Sequence, residues 1–518
     1  MPKLSIKEVV GREAKAQARK DEWRSIYEDC YEFALPQRNL YNGYYEGKVP
    51  GKAKMQRVFD STAMSSTKRF ANRLQSGLFP PNRKWCRLEP GVAVPRQDRE
   101  RAQKILDAYI DIMFDQLRQT SFDLAMGEFL LDLCVGTAVM MVTPGDEVTP
   151  VRFLAIPQYL VAIEEGANGT IDNVYRKMRV KAEAISREFP DIVITPDLAD
   201  RIERKPGDEL DLFDAVIFDQ ETGRYHYHVI WPEKSQELVY REMQSSPFIV
   251  ARFSKTAGEI YGRGPLCDCI SDIKTLNKTI ELVLKNASLS ISGVYLAADD
   301  GVLNPQNIKI QPGAVIPVAR NGGPQGASLA PLPKAGDFNT TQIVIQDLRV
   351  NIKKVLMDDT LPPDTMSARS ATEIAQRQRE LATNLGSAFG RLMTEIMNPL
   401  VARILFVLDR QGLIDMPLKV NGVQLKISPV SPLAEAPKME EVNQLIQFMQ
   451  IANSLGPIGQ TVVNVPETLA FIAEKMSIDQ RVLNTPEEQQ AMMQQMQQAM
   501  MEQQQQMPTD ETVAGALQ

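Results

Sequence analysis

The sequence predicts a mixed α+β chain, mainly helical, and three observations predict it. Long stretches repeat apolar residues at helical spacing, above all Ser370 to Arg410. The segment from Val151 to about Pro247 breaks instead into short β-rich runs separated by turn residues. Two helical stretches, from Pro265 and from Phe338, bracket a compact insertion rich in glycine and proline. With 518 residues the chain is long enough for two to four domains and a large core.

Taken in order, residues up to about Pro36 read as one charged amphipathic helix with Trp23, Ile26, Tyr27 and Phe33 on its buried side. An aromatic loop follows at Tyr41, Tyr44 and Tyr45. In FDSTAMSSTKRFANRLQSGLF, Asp60 or Ser61 caps a helix that turns Phe70, Leu74 and Leu78 inward and stops at Pro80-Pro81. PPNRKWCRLEP then enters a strand. Asp98 to Gln119 predicts a helix with Ile105, Ala108, Ile112 and Leu117 toward the core. Phe122 to Cys134 predicts another, turning at Gly136 into the strand TAVMMVTP. Within the β-rich part, DAVIFDQETGRYHYHVIW reads as a hairpin around Glu221-Thr222-Gly223.

PLCDCISDIKTLNKTIELVLKNASLSIS has Pro265 in its first turn and Gly293 just past its end, the asymmetry expected of a helix. Ile270, Ile273, Leu276, Ile280, Val283, Leu284, Ala287 and Ile291 fall on one side. Lys274, Lys278 and Lys285 fall on the other, with Glu281 beside them. Such a row is either a solvated face or a DNA-facing one. The helix Phe338 to Met357 carries Val344, Ile345, Leu348, Ile352, Val355 and Leu356, flanked by Arg349, Lys353 and Lys354. The polar, doubly proline-broken DDTLPPDTMSAR, residues 358 to 369, cannot continue a helix and reads as a loop with few anchors.

In the stretch from Ser370, Ile374, Leu381, Leu385, Ala388, Phe389, Leu392 and Ile396 form one stripe, and Ser370 with Glu373 forms a capping box. Pro399 should bend the helix and Gly412 end it. At 1.5 Å per residue it would be roughly 60 Å long. Two readings fit: a rib shared between neighbouring copies, or a core helix of a large monomer. A strand pair around Asn421-Gly422 and helices at Glu440 to Leu455 and Pro466 to Met476 follow. The Thr485-Pro486-Glu487-Glu488 start leads into a glutamine-rich run striped with methionine, either a partly disordered tail or a helix packed on copies of itself.

Composition narrows the chemistry. A net charge of −7 argues against tight neutralisation of many phosphates but leaves weak or sliding contact with DNA open. Cys30, Cys86, Cys134, Cys267 and Cys269 contain no CxxC pair, so reduced thiols are expected and not a disulfide frame or zinc site. The most apolar window, Leu124 to Val142, carries Glu128 and Asp132, which makes it a buried segment and not a membrane span. The first residues are basic and lack the apolar run of a secretory signal. Neither GxxxxGK[ST] nor GxSxG occurs, and the two histidines, His226 and His228, share a strand face without further ligands nearby. No enzyme, cofactor or metal is expected.

Three fragments in this order and spacing carry a resemblance: FDSTA with ANRLQSGLFPPNRKW, YGRGPLCDCISDIKTLN at Tyr261 to Asn277, and SATEIAQRQRELATNLGSAFGRLMTEIMNPL. The chain resembles the head-to-tail connector, or portal, proteins of short-tailed double-stranded DNA phages. The resemblance implies a portal-like subunit with an α/β wing (1–263 and 370–436), a two-helix stem (264–292 and 337–357) and a small β-rich clip (293–336). It also implies a tunnel loop (358–369) and a helical C-terminal crown (437–518). Its site residues would be channel-facing Lys274, Lys278, Lys285, Arg349, Lys353 and Lys354. The tunnel loop would be Asp358, Asp359, Thr360, Leu361, Pro362, Pro363, Asp364, Thr365, Met366 and Arg369. The implied assembly is a twelve-subunit ring at one capsid vertex, built in the host cytoplasm. The ring would pass double-stranded DNA and dock the terminase packaging motor, tail adaptors, and capsid and scaffolding proteins, without a membrane. The alternative is a scaffold or adaptor of virion assembly that forms no channel.

Overall fold

The computed structural model describes residues 4–41, 55–81, 83–91, 93–95, 98–292, 295–299, 315–319, 329–331, 338–358, 385–415, 425–454 and 464–475. The chain divides into two compact units, 1–433 and 434–518.

The N-terminal residues form two helices, α1 (Ile6–Asp21) and α2 (Arg24–Ala34), and not the single one expected. On α2 the fully buried residues are Tyr27, Cys30, Tyr31 and Ala34, whereas Trp23, Ile26 and Phe33 are only half-buried. The helix α3 (Thr62–Leu78) buries Phe70, Leu74 and Leu78 as its pattern predicts. Asp60 supplies its cap, accepting the Thr62 N–H at 2.8 Å. After β1 (Cys86–Pro90), helix α4 (Arg99–Leu117) buries Leu106, Ile110, Met113, Phe114 and Leu117. The expected face holds only in part: Leu117 is buried and Ile112 half-buried, but Ile105 and Ala108 are exposed. Two overlapping stripes satisfy helical spacing here, and packing against β1 selects the one that carries Phe114.

Helix α5 (Phe122–Val135) turns at Gly136 into β2 (Thr137–Pro144), which pairs with β3 (Val151–Ile156) and β9 (Phe248–Arg252) in an antiparallel three-stranded sheet. Between β3 and β9 lies a five-stranded antiparallel meander. Its strands are β4 (Val161–Glu165), β5 (Ile171–Lys181), β6 (Glu209–Asp219), β7 (Arg224–Trp231) and β8 (Gln236–Met243). The β6–β7 hairpin turns at the expected residues, with Gly223 at φ 66°. Alternation serves two cores. Val174, Val216 and Val229 join the main core, while Tyr175, Phe213, Ala215, Ile217 and Ile230 pack under α1 against Val9 and Ala16. Two short helices absent from the strand-only expectation, α6 (Ile185–Glu188) and α7 (Pro196–Arg204), interrupt this stretch.

The 28-residue α8 (Pro265–Ser292) and α9 (Phe338–Val355) pack on one another. Between them in sequence lie β10 (Tyr295–Asp299), β11 (Val315–Ala319) and β12 (Leu329–Pro331), one sheet with β10 in the centre, parallel to β11 and antiparallel to β12.

The stretch expected as one rod is described from 385 onward, so Ile374, Leu381 and the Ser370–Glu373 box lie outside the described residues. A turn at Gly386 (φ 47°) precedes α10 (Ser387–Leu392), which runs through a π-helical segment, Met393–Met397, into α11 (Asn398–Arg410). The π segment sits directly before Pro399. Proline has no N–H to donate to residue 395, and the wider turn removes the demand for that bond. The stripe itself is covered within the single chain: Leu385, Ala388, Leu392 and Ile396 are buried and Phe389 is half-buried. From 385 on, this element is a core helix, and its burial needs no neighbouring copy.

Of the expected strand pair around Asn421-Gly422, the first strand and the turn, within 416–424, lie outside the described residues. The strand β13 (Leu425–Pro429) pairs antiparallel with β1, from Cys86↔Pro429 to Pro90↔Leu425. In the second unit, the helix Pro432–Ser454, which begins just before it, and the helix Val465–Lys475 are described, and they leave Phe448, Ile451 and Leu469 exposed. The Thr485 start and methionine stripe lie outside the described residues.

Candidate functional site

The helix pair α8–α9 is rooted in the first unit by backbone packing that tolerates no side chains. A Cβ on Gly136 would meet the Gly262 carbonyl oxygen at 2.1 Å, and one on Gly264 would meet the Cys134 carbonyl oxygen at 2.1 Å. The motif YGRGP therefore carries glycines because two chain segments touch there. Tyr27 fastens the joint: its hydroxyl donates to Gly262 O at 2.5 Å and lies 3.2 Å from Thr137 Oγ1, which accepts Gly262 N–H at 2.9 Å. Gly264 N–H donates to Val135 O at 3.0 Å. We expect Gly264→Ala to destabilise the chain by about 1–3 kcal/mol or more, since a backbone and not a flexible side chain must yield. Thermal unfolding of the purified variant checks this, and an unchanged midpoint would contradict it.

Higher along α8, Asn277 accepts the Phe59 N–H at 2.7 Å and donates to Arg57 O at 2.7 Å. Asp60 caps α3 with Oδ1 and takes Arg349 of α9 with Oδ2 at 2.8 Å. Burial raises the Asp60 pKa, but Thr62 and Arg349 outweigh it and leave the carboxyl below its ordinary value. Because the folded-state pKa is depressed, this contribution is present at neutral pH and is lost as pH falls through the folded value. FDSTA thus ties α3 to α9.

A second joint centres on Arg252, whose side chain is fully buried. It donates to Glu395 Oε1 at 2.7 Å, Glu165 Oε1 at 3.3 Å, Gly169 O at 2.9 Å and Ile260 O at 3.2 Å, and its backbone N–H donates to Glu395 Oε2 at 2.8 Å. Glu395 lies in the π segment, so this network joins β9, the end of β4 and the α10–α11 helix.

The proposed channel residues divide. Lys274 pairs with Asp29 at 2.7 Å, and Lys278 and Lys285 both pair with Glu281, at 2.9 and 2.5 Å. The two lysines, Lys285 first, hold the Glu281 carboxyl down at about 2. Arg349 is committed to Asp60. Lys353 and Lys354 are exposed and have no ion-pair partner among the described residues. Of the proposed loop, Asp358 is the one described member, and it is anchored: its side chain is buried and accepts from Ser66 at 2.8 Å and from Arg69 and Arg73 at 3.2 Å each. Asp359, Thr360, Leu361, Pro362, Pro363, Asp364, Thr365, Met366 and Arg369 lie outside the described residues.

The outer part of the helix pair is apolar and uncovered. Leu282, Leu284 and Ile291 of α8 are 54%, 53% and 86% exposed, and Ile343 and Val344 of α9 are 63% and 45% exposed. By contrast Leu266, Ile270, Ile273 and Leu276 near the root are buried.

His226 Nδ1 lies 2.8 Å from the Tyr240 hydroxyl and His228 Nδ1 2.7 Å from Glu237, so each histidine has its own partner in the sheet. Among the described residues no group of three metal-ligating side chains occurs, and all five cysteines are buried and free. Sequence reasoning found the Asp60 cap but missed Arg252, Glu395 and the ion pair between Asp60 and Arg349. No local signal marks contacts made 143 and 289 residues apart.

Two long helices thus stand on a glycine-packed root, with a small sheet between them in sequence. The family model for bacteriophage head to tail connecting protein matches residues 7–483, and the chain belongs to that family, the phage portal or head-to-tail connector proteins. The probable portal protein of Bordetella phage BPP-1 is 23% identical over 495 residues, covering 89% of this chain and 84% of its own. The portal protein of Escherichia phage T7 is 23% identical over 447 residues, covering 82% and 79%. That of Pseudomonas phage phiKMV is 23% identical over 450 residues, covering 81% and 82%. Among solved structures, a chain from the neck of an empty gene transfer agent particle, computed with C6 symmetry, aligns with a TM-score of 0.36 and 12% identity, over 80% of this chain and 92% of that one. The glutamine- and methionine-rich residues after 483 lie beyond the family match.

Proposed function

We propose that twelve copies of this chain close into a ring at one capsid vertex, where the ring is the conduit for double-stranded DNA during packaging and ejection. In this reading α8 and α9 are the stem, the β10–β12 sheet is the clip that meets the terminase motor and later the tail adaptors, and the second unit is the crown. The observation that carries it is the pattern of exposure on α8 and α9. Five large apolar side chains stand open on the outer part of a helix pair whose root is sealed. Monomeric soluble proteins rarely leave such surface uncovered, and a ring gives each helix pair a neighbour on both sides. The net charge of −7 suits a wall past which DNA slides without sticking. Light scattering of the purified chain tests the reading: a particle near twelve times 58.0 kDa is expected, and a monomer or dimer at all concentrations favours the scaffold or adaptor alternative.

Where positive charge meets the passing DNA, we place it on Lys353 and Lys354, because carboxylates already occupy Lys274, Lys278, Lys285 and Arg349. Reversing both to glutamate is expected to slow in-vitro packaging and to flatten its salt dependence, each lost phosphate contact lowering the salt slope by about one. If neither changes, the two lysines only complement the C-terminal end of the α9 dipole.

A further inference from the structure

A cavity of about 130 Å³ lies between the last turn of α1, the first turn of α2, the turn at Gln158–Leu160 and β5. Its lining includes Gln17, Lys20, Asp21, Arg24, Tyr159 and Lys177. Lys20 is 5% exposed, and its ammonium donates to the Tyr159 carbonyl and lies 5.2 Å over the Tyr159 ring. It has no carboxylate partner among the described residues. Gln17 Nε2 is buried in the structure without an acceptor. Arg24 and Lys177 reach their carboxylates, Glu28 and Glu13, only at 3.7 and 3.6 Å.

Three cations thus converge on a small cavity, and a buried cation without a counter-charge is costly enough to call for one. The groups facing Lys20 are Lys177 and Arg24, which repel it, and Asp21 and Glu13, which do not offset its burial. Its pKa falls to about 7, with burial the larger cause. An anion in the cavity would reverse that balance.

We infer that this cavity is a binding site for a single phosphate group, held by Lys20, Lys177 and Arg24. Asp21, the one carboxylate in the lining, suits the proton of a hydrogen phosphate or phosphomonoester and disfavours sulfate, which has no proton to donate to it. The site is independent of the channel reading, because it lies on α1, α2 and β5 and uses none of the α8–α9 residues.

The test is calorimetric titration of the full chain with inorganic phosphate at pH 7, beside sodium sulfate at matched ionic strength, a nucleoside monophosphate and a blunt DNA duplex. Saturable phosphate binding that exceeds sulfate is expected. Lys20→Met should weaken it about tenfold or more, the scale of one charge-assisted hydrogen bond. Lys177→Ser, at a half-exposed position on β5, should weaken it several-fold with a circular dichroism spectrum like the parent's. Binding of the monophosphate but not the duplex assigns the site to free phosphate esters, and binding of a 5′-phosphorylated duplex assigns it to DNA ends. No saturable heat, equal affinity for sulfate, or phosphate binding untouched in Lys177→Ser would overturn the assignment.

Discussion

Glu395→Ala is expected to destabilise the first unit by about 3–5 kcal/mol, the range for removing one partner from a buried ion pair. The substitution leaves the Arg252 guanidinium, fully buried, with Glu165 at 3.3 Å as its one remaining carboxylate, and it frees the Arg252 backbone N–H inside β9. The cost comes from the stranded charge more than from the lost pair. The double variant Arg252→Met with Glu395→Leu should therefore recover much of it. Calorimetric unfolding of both variants, with hydrogen exchange at Phe248–Arg252 and Met393–Met397, makes the comparison. A midpoint for Glu395→Ala within a degree or two of the parent would show that the network does not join β9 to the π segment energetically.

Leu284→Asp combined with Ile343→Asp should abolish self-assembly while leaving each chain folded. Both side chains are more than half exposed in the single subunit, so an aspartate there is solvated in the monomer. In a ring the same position would bury a charge at every subunit boundary. Each such burial costs several kcal/mol unless the group is paired, and a closed ring repeats the cost around its circumference. Light scattering should report monomers with a parental circular dichroism spectrum. Intact rings from the double variant would mean that these two residues face solvent in the assembly, and the outer helix surface would lose its role as the subunit contact.

Much of the local structure was legible in the residues, because local structure is written at short range. Asp60 before α3, Gly136 between α5 and β2, Gly223 in the β6–β7 turn and Pro265 at the start of α8 each act within a turn of their own position. What was not legible depends on partners far along the chain. The pairing of β13 with β1, more than 330 residues away, left no mark near either strand. The Ser370–Arg410 stripe looked too long for one chain to cover. The structure buries its described half with strands and helices from the first 260 residues and breaks it at Gly386. The lysine row was visible together with Glu281, which answers Lys278 and Lys285, but Asp29, which answers Lys274, lies 245 residues away. Of the two readings of the long helix, its described half fits the core helix, and the exposed apolar surface lies instead on α8 and α9.

The most direct measurement is an electron cryomicroscopy reconstruction of the purified chain viewed along its symmetry axis. The account predicts twelve subunits around an open hole wide enough for duplex DNA, with α8 and α9 nearest the axis and Leu284, Ile291 and Ile343 covered by adjacent copies. Discrete monomers, or a ring in which those three side chains remain bare, would contradict it.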